Sequence, residues 1–118
     1  MTYKHVFIFL ISILFSCTSA DRYIPSDVIP LNDMKLIVWD MMQAEEFARL
    51  KHNKDSNLLY PKTSEMFQQV MRIRKTDKEN FYKSFTYYQS HPILNKILFD
   101  SVSAYASRQR QLLYKKIQ

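Results

Sequence analysis

Not one of the 118 residues is glycine. Glycine is the residue that enters left-handed backbone conformations without a steric penalty and lets a main chain approach a ligand closely. Two-residue β-hairpins rely on it at their turn positions. Phosphate-cradling loops and dinucleotide fingerprints also require it at fixed positions, so neither class of site is present. A chain without glycine has short routes between helices and poor ones between strands. The expected fold is therefore all-α, a small bundle of about four helices.

Hydrophobic spacing locates those helices. Asn32 or Asp33 is the expected N-cap of a first helix running from Met34 to Leu50. On a 100° projection Met34, Ile37, Val38, Met41, Ala44 and Ala48 share one face, with Lys35, Gln43 and Glu46 outside it. The stretch "KHNKDSNLLYPK" reads as a polar break. Ser64 is the expected cap of a second helix, Glu65 to about Arg74, with Met66, Val70 and Ile73 inward. Thr76 and Glu79 have capping-box spacing ahead of a third helix that ends near Ser90, with Phe81, Ser84, Phe85 and Tyr88 on one stripe. Pro92 suits the first turn of a fourth, whose seam is Leu94, Leu98, Val102, Tyr105 and Leu112, with fraying expected in its last turns.

The front of the chain has a different character. Val6–Phe15 is apolar apart from Ser12, follows Lys4, and ends at small polar residues. As a helix it is about 15 Å long, half of what a bilayer core needs, and the layout is that of a secretory signal peptide. Two cleavage readings stand. Thr18-Ser19-Ala20 offers an ordinary signal-peptidase site, leaving Asp21 first. Leu14-Phe15-Ser16-Cys17 resembles a lipobox, with cleavage before Cys17 and transfer of diacylglycerol to its sulfur. Cys17 is the single cysteine. An unpaired thiol in an oxidising compartment is a liability that a thioether removes, which favours the lipobox. Acyl chains such as palmitate contribute about 0.8 kcal/mol per buried methylene, and two of them anchor durably. The expected organisation is a signal peptide at 1–16, lipidated Cys17 with a linker to 31, a helical domain over 32–107, and a basic helix end at 108–118. Pro25 and Pro30 favour extended backbone in the linker.

Charge narrows the partners. The part from Cys17 onward has 16 basic and 11 acidic side chains, net +5. Arg108, Arg110, Lys115 and Lys116 supply +4 of that with no acid among them, so the body is nearly neutral. Cations at a helix C-terminus complement its dipole, and contact with anionic lipid is a second use for them. This is no nucleic-acid footprint.

Two clusters carry a family resemblance. "MKLIVWDMMQAEE" fits Met-x-x-Ile-aliphatic-x-Asp-x-x-x-Ala-Glu, and "FYKSFTYYQSHP" fits Phe-x-x-Ser-x-x-Tyr-Tyr-x-x-His-Pro. With the lipobox and an Ile-Pro linker they resemble a Bacteroidota lipoprotein family catalogued as a domain of unknown function, 4296, from about Ile24 to Tyr105. The second cluster is the more specific. The doubled acid Glu45-Glu46 and the extended basic C-terminus depart from the pattern. The resemblance implies a small helical envelope lipoprotein and brings with it no activity, cofactor or partner.

Six polar residues are candidates for burial or function: Asp40, Glu45, Ser84, Tyr87, Tyr88 and His91. Glu45 projects onto the first helix's apolar stripe, flanked by Met41 and Ala48, where an unpaired carboxylate must protonate or find a donor. It is either a structural acid bonded to a tyrosine or arginine, or a functional one with a raised pKa. Asp40 projects about 140° away, so the two do not form a glycosidase-type pair, and Asp40 is expected to meet a base from another helix or a partner. His52 and His91 lack metal-ligand spacing. Ser84, His91 and Asp40 form a triad only on paper. Trp39, Phe47 and Tyr87 project off the core stripes and are candidate anchors for a partner.

The expectation is a noncatalytic interaction or accessory module, held on a membrane by lipid on Cys17 at the periplasmic side of an outer membrane. Its partner would be an envelope protein, with no metal, cofactor or nucleic acid. A folding or assembly helper for exported chains is the alternative, and a small envelope hydrolase the third.

Overall fold

The computed structural model describes residues 22–118, and those residues form four helices with no strand. The signal peptide at 1–16 and Cys17 lie outside the described residues. The helices are α1 (Leu31–His52), α2 (Ser56–Ile73), α3 (Lys78–Ser90) and α4 (Pro92–Ile117). Helix α1 packs against α2 and α4, and α3 against α4.

Helix α1 buries the stripe its spacing predicts: Met34, Ile37, Val38, Met41, Ala44 and Ala48. Helix α2 begins eight residues before its expected cap at Ser64. Asp55 is the cap, its carboxylate accepting from the Asn57 amide at 2.9 Å. Pro61 is tolerated inside because it falls in the second turn, where the Asn57 carbonyl left without a donor lies on an exposed residue. The inward stripe of α2 is Met66, Phe67, Val70 and Met71. Ile73 lies about 90° to one side of that stripe and is 72% exposed, against expectation.

The turn from α2 to α3 shows how a glycine-free chain stops a helix. Lys75 has φ 54°, in the left-handed region. Its amide bonds the Arg72 carbonyl and the Thr76 amide bonds that of Met71, the two bonds of a Schellman motif. Lysine occupies the position glycine usually fills, at a cost of about 1 kcal/mol. Asp77, not Thr76, then caps α3, accepting from the Asn80 amide at 2.8 Å. Pro92 opens α4 as expected. Leu94, Leu98 and Val102 are buried, but Leu112 is 59% exposed, because the seam of α4 outruns the helices that cover it.

The largest departure concerns the linker. Residues 24–30 belong to the folded body: Val28 and Ile29 are buried, and Ile24 packs against the core. We call residues 23–30 the strap.

Candidate functional site

Helix α3 presents four residues to the strap at positions i, i+1, i+4 and i+5, the spacing that brings side chains onto adjoining stripes. Ser84 is fully buried, and its hydroxyl accepts from the Ile29 amide at 2.9 Å. Tyr88, also fully buried, donates its hydroxyl to the Ile29 carbonyl at 2.8 Å. Both main-chain groups of Ile29 are thus satisfied from one helix, as a buried extended segment requires. Tyr87 donates to the Tyr23 carbonyl at 2.9 Å. Lys83 pairs with Asp27 at 2.5 Å.

The electrostatics follow the geometry. Burial first, then the nearby acid Asp33 and Tyr87, push the Tyr88 phenol up to about 12. It therefore stays protonated and donating across the physiological range. Asp27 is held below the usual carboxylate range, chiefly by its hydrogen bond from Lys83 and also by its own amide.

The lower end of the clasp is fixed by His91. Its ring stacks on Tyr87 with centroids 4.1 Å apart. Its Nδ1 lies 2.7 Å from the Tyr87 carbonyl, a bond that requires the proton on Nδ1. His91 is also the N-cap of α4, with Pro92 following at the first position. Every distinguishing residue of the Phe-x-x-Ser-x-x-Tyr-Tyr-x-x-His-Pro pattern has a place here, with Phe81 in the core beneath.

The Asp-containing pattern of α1 is also a packing device. Asp40 accepts from Arg74 Nε at 2.6 Å, tying α1 to the end of α2. The bond to Asp40 raises the Arg74 pKa further.

Glu45 requires a correction. It is exposed, although it projects onto the apolar stripe. Beyond Met41 the buried stripe of α1 narrows to Ala44 and Ala48. A carboxylate beside that narrow line reaches water. The one feature that supported a hydrolytic reading is therefore missing. Asp40, Ser84 and His91 are committed to Arg74, Ile29 and Tyr87, and no hydrogen bond joins any two of the three.

Two of the three candidate anchors are also engaged. Trp39 packs on the core and meets Tyr105 edge-on at 5.9 Å. Tyr87 serves the clasp. Phe47 alone is free, 55% exposed with Lys51 over its ring. Among the described residues there is no group of three or more His, Cys, Asp or Glu able to hold a metal ion, and no helix long and apolar enough to cross a membrane. An open cleft of about 710 Å³ lies between the strap, the start of α1 and the α2–α3 turn, with Asp33, Lys75 and Asn80 on its walls.

Residues 25–112 match the family described as a domain of unknown function, DUF4296. The chain belongs to this family. No curated protein and no solved structure gives a significant match. The DUF4296 match begins at Pro25, inside the strap, so the family's unit includes the segment that α3 clasps.

The strap was hidden from sequence reasoning because chain buried outside a helix has no helical period. A signal did exist: Ser84 and Tyr88 are polar groups on the packed face of α3, and each needed a partner.

Proposed function

We propose that this DUF4296 protein is a noncatalytic accessory module of the cell envelope, lipid-anchored through Cys17 at the periplasmic side of an outer membrane. The clasp is the observation that carries the reading. The polar residues that most resemble a site are all engaged: Ser84, Tyr87 and Tyr88 hold residues 23–29, and His91 bonds the Tyr87 carbonyl at the end of α3. Their chemistry is the chemistry of attachment.

The clasp gives the anchor a mechanical role. Between Cys17 and the docked Tyr23 there are five residues, which span at most about 20 Å. The helical body rides close to the lipid with its α3–α4 junction nearest. Helix α4, 26 residues long, points away from that end for about 39 Å.

The test is fractionation of the full chain and of Cys17→Ser, with mass spectrometry of the N-terminal peptide and affinity capture from membranes. The reading expects a diacylglyceryl Cys17 in the membrane fraction, loss of both in the variant, and partners that depend on the anchor. A soluble wild-type chain beginning at Asp21 would contradict it.

A folding helper is the second reading. It is favoured by apolar residues left open at the far end of the α1–α2 hairpin, where Leu50 is 73% and Tyr60 75% exposed. Suppression of the aggregation of an unfolded client by the purified chain would support it.

A further inference from the structure

One end of the molecule is formed by the α3–α4 junction. The strap meets α3 at Ser84 and Tyr88 and passes into α1, while α4 leaves the end of α3 at Pro92, so α1 and α4 start from the same end. Trp39 meets Tyr105, which puts those two residues at one height. Pro92 lies thirteen residues before Tyr105, and Leu31 eight before Trp39. At about 1.5 Å per residue, α4 therefore begins about 7 Å further out than α1. Helix α2 stops short of this end, because Arg74, just after it, is bonded to Asp40.

That end is apolar where it is open. Ile93 is 43% exposed in the first turn of α4, where Cα–Cβ bonds lean toward the helix start and so toward the tip of the molecule. With Ser90, His91 and Pro92 it lines an open hollow of about 380 Å³. Tyr23 is tied to the same corner. Its carbonyl is held by the Tyr87 hydroxyl, and the Tyr87 ring stacks on His91. Only the main chain of Tyr23 is used in that bond, and its ring is 67% exposed.

The tether decides what meets this end. Five residues separate Cys17 from Tyr23 and span at most about 20 Å. A surface held that near is met at a high effective concentration, so a small contact suffices. A tyrosine ring suits the level of lipid headgroups, with its body among apolar groups and its hydroxyl in water, and isoleucine gains by leaving water there. The adjoining face of the strap is a poorer contact for lipid, since it carries the exposed ion pair of Asp27 and Lys83.

We propose that the α3–α4 junction is a seat on the bilayer. Pro92, Ile93 and the ring of Tyr23 enter the headgroup layer, and the body stands end-on with α4 rising from the surface. The inference rests on the lipid-anchored reading and adds a second point of contact to it. Lipid on Cys17 alone leaves the body free to swivel on its tether, whereas the seat fixes its orientation. The contact is apolar and needs no anionic lipid.

The experiment uses the single cysteine. With Cys17 converted to a thioether, a cysteine introduced elsewhere is the one free thiol, and it takes a nitrobenzoxadiazole label. The full chain, with diacylglycerol on Cys17 established by mass spectrometry, is placed in phosphatidylcholine vesicles containing a headgroup-nitroxide lipid, with and without phosphatidylglycerol. Labels at Ile93→Cys and, should that change disturb the fold, at Gln89→Cys are expected to lose about half of their emission or more, since interfacial side chains sit within about 10 Å of the headgroup boundary. Labels at Asn80→Cys and Ile117→Cys are expected to lose none, and both lipid mixtures to give the same result. Tyr23→Ser keeps the carbonyl that Tyr87 holds and is expected to weaken quenching of the Gln89→Cys label. Circular dichroism checks the helix content of each variant. A lipidated chain unquenched at both Gln89→Cys and Ile93→Cys overturns the seat and leaves the anchor standing. Quenching at all four positions shows a body lying flat and overturns it, as does a contact seen only with phosphatidylglycerol. Quenching indifferent to Tyr23→Ser also counts against it. A chain without diacylglycerol overturns the anchored reading and the seat with it, a failure that the mass spectrum separates from the others.

Discussion

Ser84→Ala and Tyr88→Phe remove the two hydrogen bonds that hold Ile29, one from its amide and one to its carbonyl. Ile29 is buried, so each change strands a main-chain group away from water. A stranded buried donor or acceptor costs about 1–3 kcal/mol, more than the net value of an ordinary hydrogen bond. In a domain of this size 1 kcal/mol corresponds to about 4–8 °C in Tm, so each variant is expected to melt roughly 4 to 24 °C below wild type. The double variant is informative because both bonds act on one residue. When the first is lost the strap is free to lift and hydrate Ile29, so the second loss costs less, with an interaction energy of at least about 0.5 kcal/mol. Denaturant unfolding of wild type, both singles and the double, followed by circular dichroism, completes the cycle. Singles within about 0.5 kcal/mol of wild type, or a strictly additive double, would refute the clasp as a cooperative unit.

Other expectations bear on separate parts of the molecule. Lys75→Gly relieves the left-handed backbone at φ 54° and is expected to raise unfolding stability by about 1 kcal/mol, while Lys75→Ala gives no gain; equal stabilities for glycine and alanine would count against the strain. Tyr88 is raised to about 12 in the fold from an ordinary value of 10.0, so the folded state holds its proton more tightly. Its contribution is complete below pH 10 and is lost as the pH climbs toward 12, a decline that Tyr88→Phe should flatten in a pH series of unfolding curves. Asp40→Ala leaves the Arg74 guanidinium, 30% exposed, without its partner between α1 and α2. A loss of about 1 kcal/mol in a denaturant titration is expected, and Arg74→Met in the same background should recover part of it.

Much of this fold is written in spacing. Met34, Ile37, Val38, Met41, Ala44 and Ala48 are legible because a helix packed along its length repeats its apolar residues every three or four positions. The same rule misplaced Leu112 and Glu45. Periodicity reports which face a helix would bury, while burial also depends on whether another helix is present at that height. Ile73 failed for a simpler reason: Met71, not Ile73, completes the inward stripe of α2. The start of α2 was hidden by Pro61, a residue that ends most helical patterns but fits the second turn here. Lys75 could not be foreseen at all, since lysine carries no left-handed signature. Of the candidate site, Ser84, Tyr87, Tyr88 and His91 were visible as a cluster. Their shared purpose was not, because it depends on a segment from about sixty residues earlier in the chain.

Amide hydrogen exchange at Ile29 tests the clasp most directly. If the strap is part of the core, this amide, lying between two prolines and outside any helix, exchanges as slowly as the amides of Leu98 and Val102 and only through global unfolding. Exchange at the rate of an open loop, with the helices still protected, would show that α3 does not hold the strap.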